Sequence, residues 1–75
     1  MNKDKIDLHG LRHHLVKAVL IRKIEDLWDS GIDLEIITGH SNKMKEIVRD
    51  VLDEYKLDYE EGDFFNAGYI KTRVE

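Results

Sequence analysis

Ile6-Asp7-Leu8-His9-Gly10-Leu11 decides how the rest of the chain is read. Over its first four positions, apolar side chains alternate with Asp7 and His9. On a strand, residues two apart share a face. Ile6 and Leu8 are therefore expected to point into a core, with Asp7 and His9 together on the opposite face. Gly10 ends the strand and lets the main chain turn sharply or approach a ligand closely. A carboxylate and an imidazole at the carboxyl end of a strand stand where open α/β sheets bind their ligands.

Outward from that strand, residues 1–5 are polar and are expected to form a flexible N-terminus ahead of a single domain over 6–75. Residues 13–30 read as a helix whose apolar set is Leu15, Val16, Val19, Leu20, Ile24, Leu27 and Trp28. Trp28 is expected in the core, and Gly31 is placed to stop the helix. Residues 32–38 alternate as a second strand, and Ile36-Ile37 suggests burial on both faces, as in a central strand. A turn follows at 38–42, where Ser41 or Asn42 can cap the next helix. Over 42–56, Met44, Ile47, Val48, Val51, Leu52 and Tyr55 make one apolar helical face. A short strand is expected at 57–61, turns at Gly62-Asp63 and at Asn66-Ala67-Gly68, and a last strand at 69–74. Ile70, Thr72 and Val74 would face inward there, and Tyr69, Lys71 and Arg73 outward. The order is βαβαββ. Right-handed crossovers place both helices on one face of the sheet. The expected class is α+β: a two-layer α/β sandwich with a four-stranded mixed sheet.

Composition narrows the function classes. At 75 residues the chain buries little surface and is marginally stable. It has no cysteine, hence no disulfide framework and no thiolate metal site. No apolar run approaches the ~18 residues of a membrane helix, and no signal-peptide pattern opens the chain, so a cytoplasmic location is expected. A net charge of −4 argues against a strong non-specific DNA binder, because that affinity comes from neutralising phosphates.

The opening stretch resembles the first motif of the small MutS-related (Smr) domain: leucine, aspartate, any residue, histidine, glycine at the end of the first strand. Ile36-Ile37-Thr38-Gly39-His40-Ser41-Asn42 is similar to the family's second motif in its threonine-glycine form. Asn66-Ala67-Gly68, leading into Tyr69-Ile70-Lys71-Thr72-Arg73-Val74, is similar to its glycine-led last strand. The resemblance runs from Ile6 to Val74. Two positions depart from it. Ser41 stands where the family usually has a second glycine, and Thr38 where many bacterial members have histidine. The resemblance implies a βαβαββ sandwich like the C-terminal domain of a bacterial translation initiation factor. It also implies a nuclease, either nicking DNA as in mismatch-repair relatives or cutting RNA as in translation quality control.

Phosphodiester cleavage needs an activated nucleophile, a protonated leaving oxygen and stabilised phosphorane charge. His9 is the first candidate acid or base. Asp7 could orient it, act as a base or bind metal; the plain alternative is a structural tie from strand to loop. His40 is the third candidate catalytic group, and His13 and His14 add imidazoles near the same edge. Arg12 and His13, with Thr38, Gly39, Ser41, Asn42 and Lys43 at the second helix start, are candidate nucleic-acid contacts, since helix N-terminal N–H groups hold phosphate. Lys43, Lys45, Lys71 and Arg73 could extend a phosphate strip, with Tyr69 to stack a base, although Asp33 and Glu35 would share that face. A divalent metal on His9, His13 and His40 with Asp7 is one option, without any match to a known zinc spacing. The expected partner is RNA or DNA, alone or on a ribosome or repair complex, with no membrane role. The expected function is Smr-like endonuclease, with RNA slightly favoured. The alternative is an inactive nucleic-acid- or ribosome-binding Smr module.

Overall fold

The computed structural model describes residues 3–62 and 68–74. Its elements are β1 (Lys3–Asp7), α1 (His13–Asp26), β2 (Ile32–Ile37), α2 (Asn42–Glu54), β3 (Tyr59–Glu61) and β4 (Tyr69–Val74). The sheet order is β1-β2-β4-β3. β1 runs parallel to β2, and β4 runs antiparallel to both of its neighbours. The architecture is the expected α+β sandwich with a four-stranded mixed sheet. Its thinnest extent, 18 Å, leaves room for one sheet and one helix layer.

Alternation along the strands divides the sheet into a dry and a wet face. Leu34, Ile36, Ile70, Thr72 and Val74 are buried toward the helices, while Lys71 and Arg73 are exposed on the other side. The helices close the dry face with Val16, Leu20 and Ile24 from α1 and Met44, Val48, Val51 and Leu52 from α2. Two ion pairs tie helix to edge strand: Lys23 Nζ to Asp4 at 2.7 Å and Arg49 to Glu61 at 2.6 Å.

Several expected boundaries move. β1 begins at Lys3 rather than residue 6, so residues 3–5 belong to the sheet. Lys3 and Lys5 lie beside Asp33 and Glu35 in register, and opposite charges hold a stretch that has no apolar pattern. α1 ends at Asp26, and Asp29 takes a left-handed conformation with φ 63°. Trp28 therefore lies beyond the helix and is 48% exposed, not in the core. Leu15 and Val19 also face solvent, because each precedes an inward residue by one position, about 100° around the helix. α2 ends at Glu54 and β3 starts at Tyr59, each two residues inside the expected bounds. The turn expected at Asp63 and at Asn66-Ala67 lies outside the described residues, as do Met1 and Asn2. Among the described residues, no helix is long and apolar enough to cross a membrane.

α2 stops by a paired main-chain device. Lys56 N–H donates to the Asp53 carbonyl at 3.0 Å, and Leu57 N–H donates to the Leu52 carbonyl at 3.0 Å. This arrangement requires a left-handed residue, usually glycine, and here Lys56 fills it at φ 56°. Lys56→Gly should therefore stabilise the domain by roughly 0.5–1 kcal/mol in urea unfolding. At the other edge of the sheet, Asp4 pairs with Lys23. The bond from Lys23, helped by the Lys5 N–H, holds its carboxyl below the ordinary 3.8. A depressed folded-state value contributes stability above the unfolded value, and this is lost as pH falls through the folded one. In Lys23→Met, the Asp4 carboxyl measured by NMR titration should return toward 3.8.

Candidate functional site

The parallel pairing of β1 and β2 brings the turns after both strands to one edge of the sheet. Leu8 N–H donates to the Ile37 carbonyl at 2.9 Å and carries the ladder one residue past β1. His9 follows and is exposed. Gly10 turns the chain at φ 84°, and Leu11 N–H closes the turn on the Leu8 carbonyl at 3.0 Å. Across the edge, the Thr38 and Gly39 N–H groups both donate to the Gly68 carbonyl, at 2.8 and 3.0 Å. Gly39, at φ 66°, lies under the His9 ring. A Cβ there would stand 2.6 Å from His9 Cδ2, closer than real Cβ atoms come to a neighbour. The position of the imidazole thus depends on a bare main chain in the neighbouring turn.

The two helices start beside this pair. His13, the first residue of α1, brings Nε2 to 3.5 Å from the Ser41 hydroxyl. Ser41 caps α2, its hydroxyl accepting the Met44 N–H at 3.2 Å. Its φ of −71° is ordinary for serine, so the position carries no backbone strain. Arg12 precedes α1 in extended conformation and places no side-chain acceptor on the helix's first N–H groups. His40 in the turn, and Asn42 and Lys43 at the start of α2, are exposed.

Other expected contributors behave differently. Asp7 Oδ1 accepts the main-chain N–H of His9 at 3.0 Å, so this carboxylate braces the turn rather than gripping the ring. Thr38 is 1% exposed and its hydroxyl donates to the Gly39 carbonyl at 2.8 Å, which makes it a turn residue rather than a ligand contact. Among the described residues, no three His, Asp or Glu side chains gather closely enough to hold a metal ion, so the set His9, His13, His40 and Asp7 is not assembled.

Lys71 and Arg73 lie on the wet face, away from the edge. By register they stand two and four residues from Tyr69, the row of Asp7 and Ile37, roughly 7 and 13 Å along the strand. Arg73 Nε donates to Asp33 at 2.9 Å and holds that carboxyl below its usual range. Lys71 sits between Glu35 and Glu60 in register, with Nζ 5.4 Å from the centre of the Tyr69 ring. A groove of about 750 Å³ runs over these rows. Its strands carry alternating sign: lysines on β1, acids on β2, cations on β4 and Glu60 on β3. The face is internally neutralised and does not extend a basic strip from His9.

Charge order along the helices is a signal that apolar periodicity does not reveal. No carboxylate occurs between Asp7 and Glu25, and Lys43 and Lys45 precede Glu46 in α2. Neither helix has an acid in its first turn, and α2 has no base in its last. Helix dipoles favour the opposite order, acids first and bases last, by roughly 0.3–1 kcal/mol per charge. Here the side chains add to the positive helix starts instead of cancelling them.

No family model, curated protein or solved structure matches the chain.

The two glycines allow a test of the geometry. Gly39→Ala should displace the His9 ring, seen as a shift of its Cδ2–H resonance, and cost more than the roughly 1–2 kcal/mol of a left-handed alanine. Gly10→Ala meets open space and should cost only that conformational amount, leaving the ring resonance in place.

Proposed function

We propose that this chain is an Smr-like endonuclease that cleaves a phosphodiester at the His9 edge, with RNA favoured over DNA and a cytoplasmic setting. The observation that carries this reading is the juxtaposition of His9, packed on Gly39, with two helix starts whose side chains are basic. An electropositive edge suits a phosphate, and an imidazole beside it suits proton transfer. His9 takes the proton from the nucleophile, a water or the 2′-hydroxyl of RNA. A second exposed imidazole, His40 or His13, returns a proton to the leaving oxygen. Arg12, Lys43 and the first N–H groups of α1 hold the phosphate and its developing charge. The −4 net charge keeps non-specific duplex binding weak, which leans the reading toward RNA.

A second reading, a nucleic-acid- or ribosome-binding module without turnover, is favoured by the bond from the His9 N–H to Asp7, which engages the carboxylate in the turn. One experiment separates the two. Labelled single-stranded RNA, supercoiled plasmid and branched DNA are incubated with wild type, His9→Ala and Arg12→Ala, with and without magnesium or manganese. The nuclease reading expects wild type to cut one substrate and His9→Ala to lose at least about 100-fold in rate, as removal of a general acid–base group does. Arg12→Ala should lower affinity and reduce the salt slope by about one phosphate contact. Equal binding by wild type and His9→Ala with no cleavage by either would leave the module.

A further inference from the structure

The end of the molecule opposite His9 carries a second surface built from groups that the nuclease reading does not use. Trp28 is the only tryptophan of the chain and is 48% exposed. It follows Leu27, which caps α1, and it meets Tyr55, which caps α2. Their rings are 5.5 Å apart and tilted by 59°. The Tyr55 hydroxyl donates to Glu25 at 3.2 Å and fixes the second ring. An aromatic pair thus stands over two helix C-termini, where the helix dipoles place their negative ends.

Basic side chains ordinarily answer that potential. Here Lys23, the one base in the last turn of α1, is committed to Asp4 on the sheet side, and α2 has none. The flanking side chains are instead Glu25 and Asp26 in the last turn of α1, Asp29 just after it, and Asp53 and Glu54 at the end of α2. Lys17 offsets Glu54 at 3.5 Å, and Lys56 stands next to Tyr55. Glu25 and Glu54 both push the Tyr55 hydroxyl to a higher pKa, second to its desolvation, which places both carboxylates within electrostatic reach of the ring. An aromatic face, nearby carboxylates and helix carbonyls favour one ligand chemistry, a cation with a flat or greasy body.

We propose that Trp28 and Tyr55, with the carboxylates around them, receive an arginine side chain from a basic segment of a partner protein. The guanidinium stacks on Trp28 and points its N–H groups at Glu25 and Asp29, a geometry that lysine reproduces poorly. This surface is independent of the chemistry at His9.

The test uses octa-arginine, octa-lysine and octa-glutamate peptides as probes. Readouts are the emission of Trp28 and the backbone amide resonances. Octa-arginine should change the emission saturably, octa-lysine more weakly, and octa-glutamate not at all. Shifted amides should cluster at residues 25–30 and 53–57. Glu25→Gln with Asp29→Asn should weaken octa-arginine at least fivefold; asparagine tolerates the left-handed backbone at 29. Asp58→Asn with Glu60→Gln removes the same charge from elsewhere and should leave affinity unchanged. The proposal falls if both double variants weaken binding equally or if shifts spread over the whole surface. It also falls if octa-arginine leaves the emission flat, or if Trp28 responds to protein concentration without peptide, which would assign the patch to a second copy.

Discussion

The histidine edge rests on the parallel pairing of β1 with β2. Parallel strands cannot be joined by a tight turn, so the chain must cross over the sheet, and α1 is that crossover. The same constraint makes both strands end at one edge and both helices begin there. Had β1 run the other way, His9 and Gly39 would lie at opposite ends of the sheet. The register from Lys3–Asp33 to Asp7–Ile37, continued by the Leu8 bond to Ile37, brings the two turns level. Gly68 then fastens the second turn to β4 through the N–H groups of Thr38 and Gly39. Much of the site's precision is therefore main-chain hydrogen bonding, with side chains hung on it.

Charge placement follows a different logic from stability. A small domain has few kilocalories to spare, and helix ends are cheap places to gain them. Both helices decline the gain at their starts, and α2 declines it at its end as well. The result is a molecule whose −4 net charge conceals two poles. Basic residues and imidazoles gather at the helix starts, and acids gather at the helix ends. Side-chain and dipole fields then reinforce each other and reach farther into solvent than either alone, which matters for steering charged partners. The open sheet face does the reverse, neutralising its charges strand against strand.

How much was legible follows from what each element depends on. β4 was readable to the residue, because Ile70, Thr72 and Val74 alternate cleanly with Tyr69, Lys71 and Arg73 and one face is buried. α2 was readable because its apolar spacing holds for three turns. The first half of β1 was not, because Lys3, Asp4 and Lys5 are held by cross-strand and helix charges rather than by apolar burial. Trp28 misleads for a related reason. Its spacing fits the α1 stripe only if the helix continues, and the helix stops at Asp26 with Asp29 turned left-handed. Of the site, Gly39 and His9 could each be picked out, but their contact depends on strand register, which periodicity leaves open. The reversed charge order was visible from the start and needed only the helix directions to give it meaning.

The turn after β2 forms the surface beneath His9. Of its residues, Gly39 alone needs its own identity for steric reasons: it combines a left-handed φ with a ring where its Cβ would be. Thr38 is buried and braces the turn, and Ser41 spends its hydroxyl on the Met44 N–H in an ordinary conformation. The hydrogen bonds at 38 and 41 are thus internally consistent. A buried hydroxyl at 38 and a capping hydroxyl at 41 hold the main chain without disturbing the surface that supports His9. Beside His9, the exposed imidazoles at that edge are His13 and His14 at the start of α1 and His40 in the turn itself.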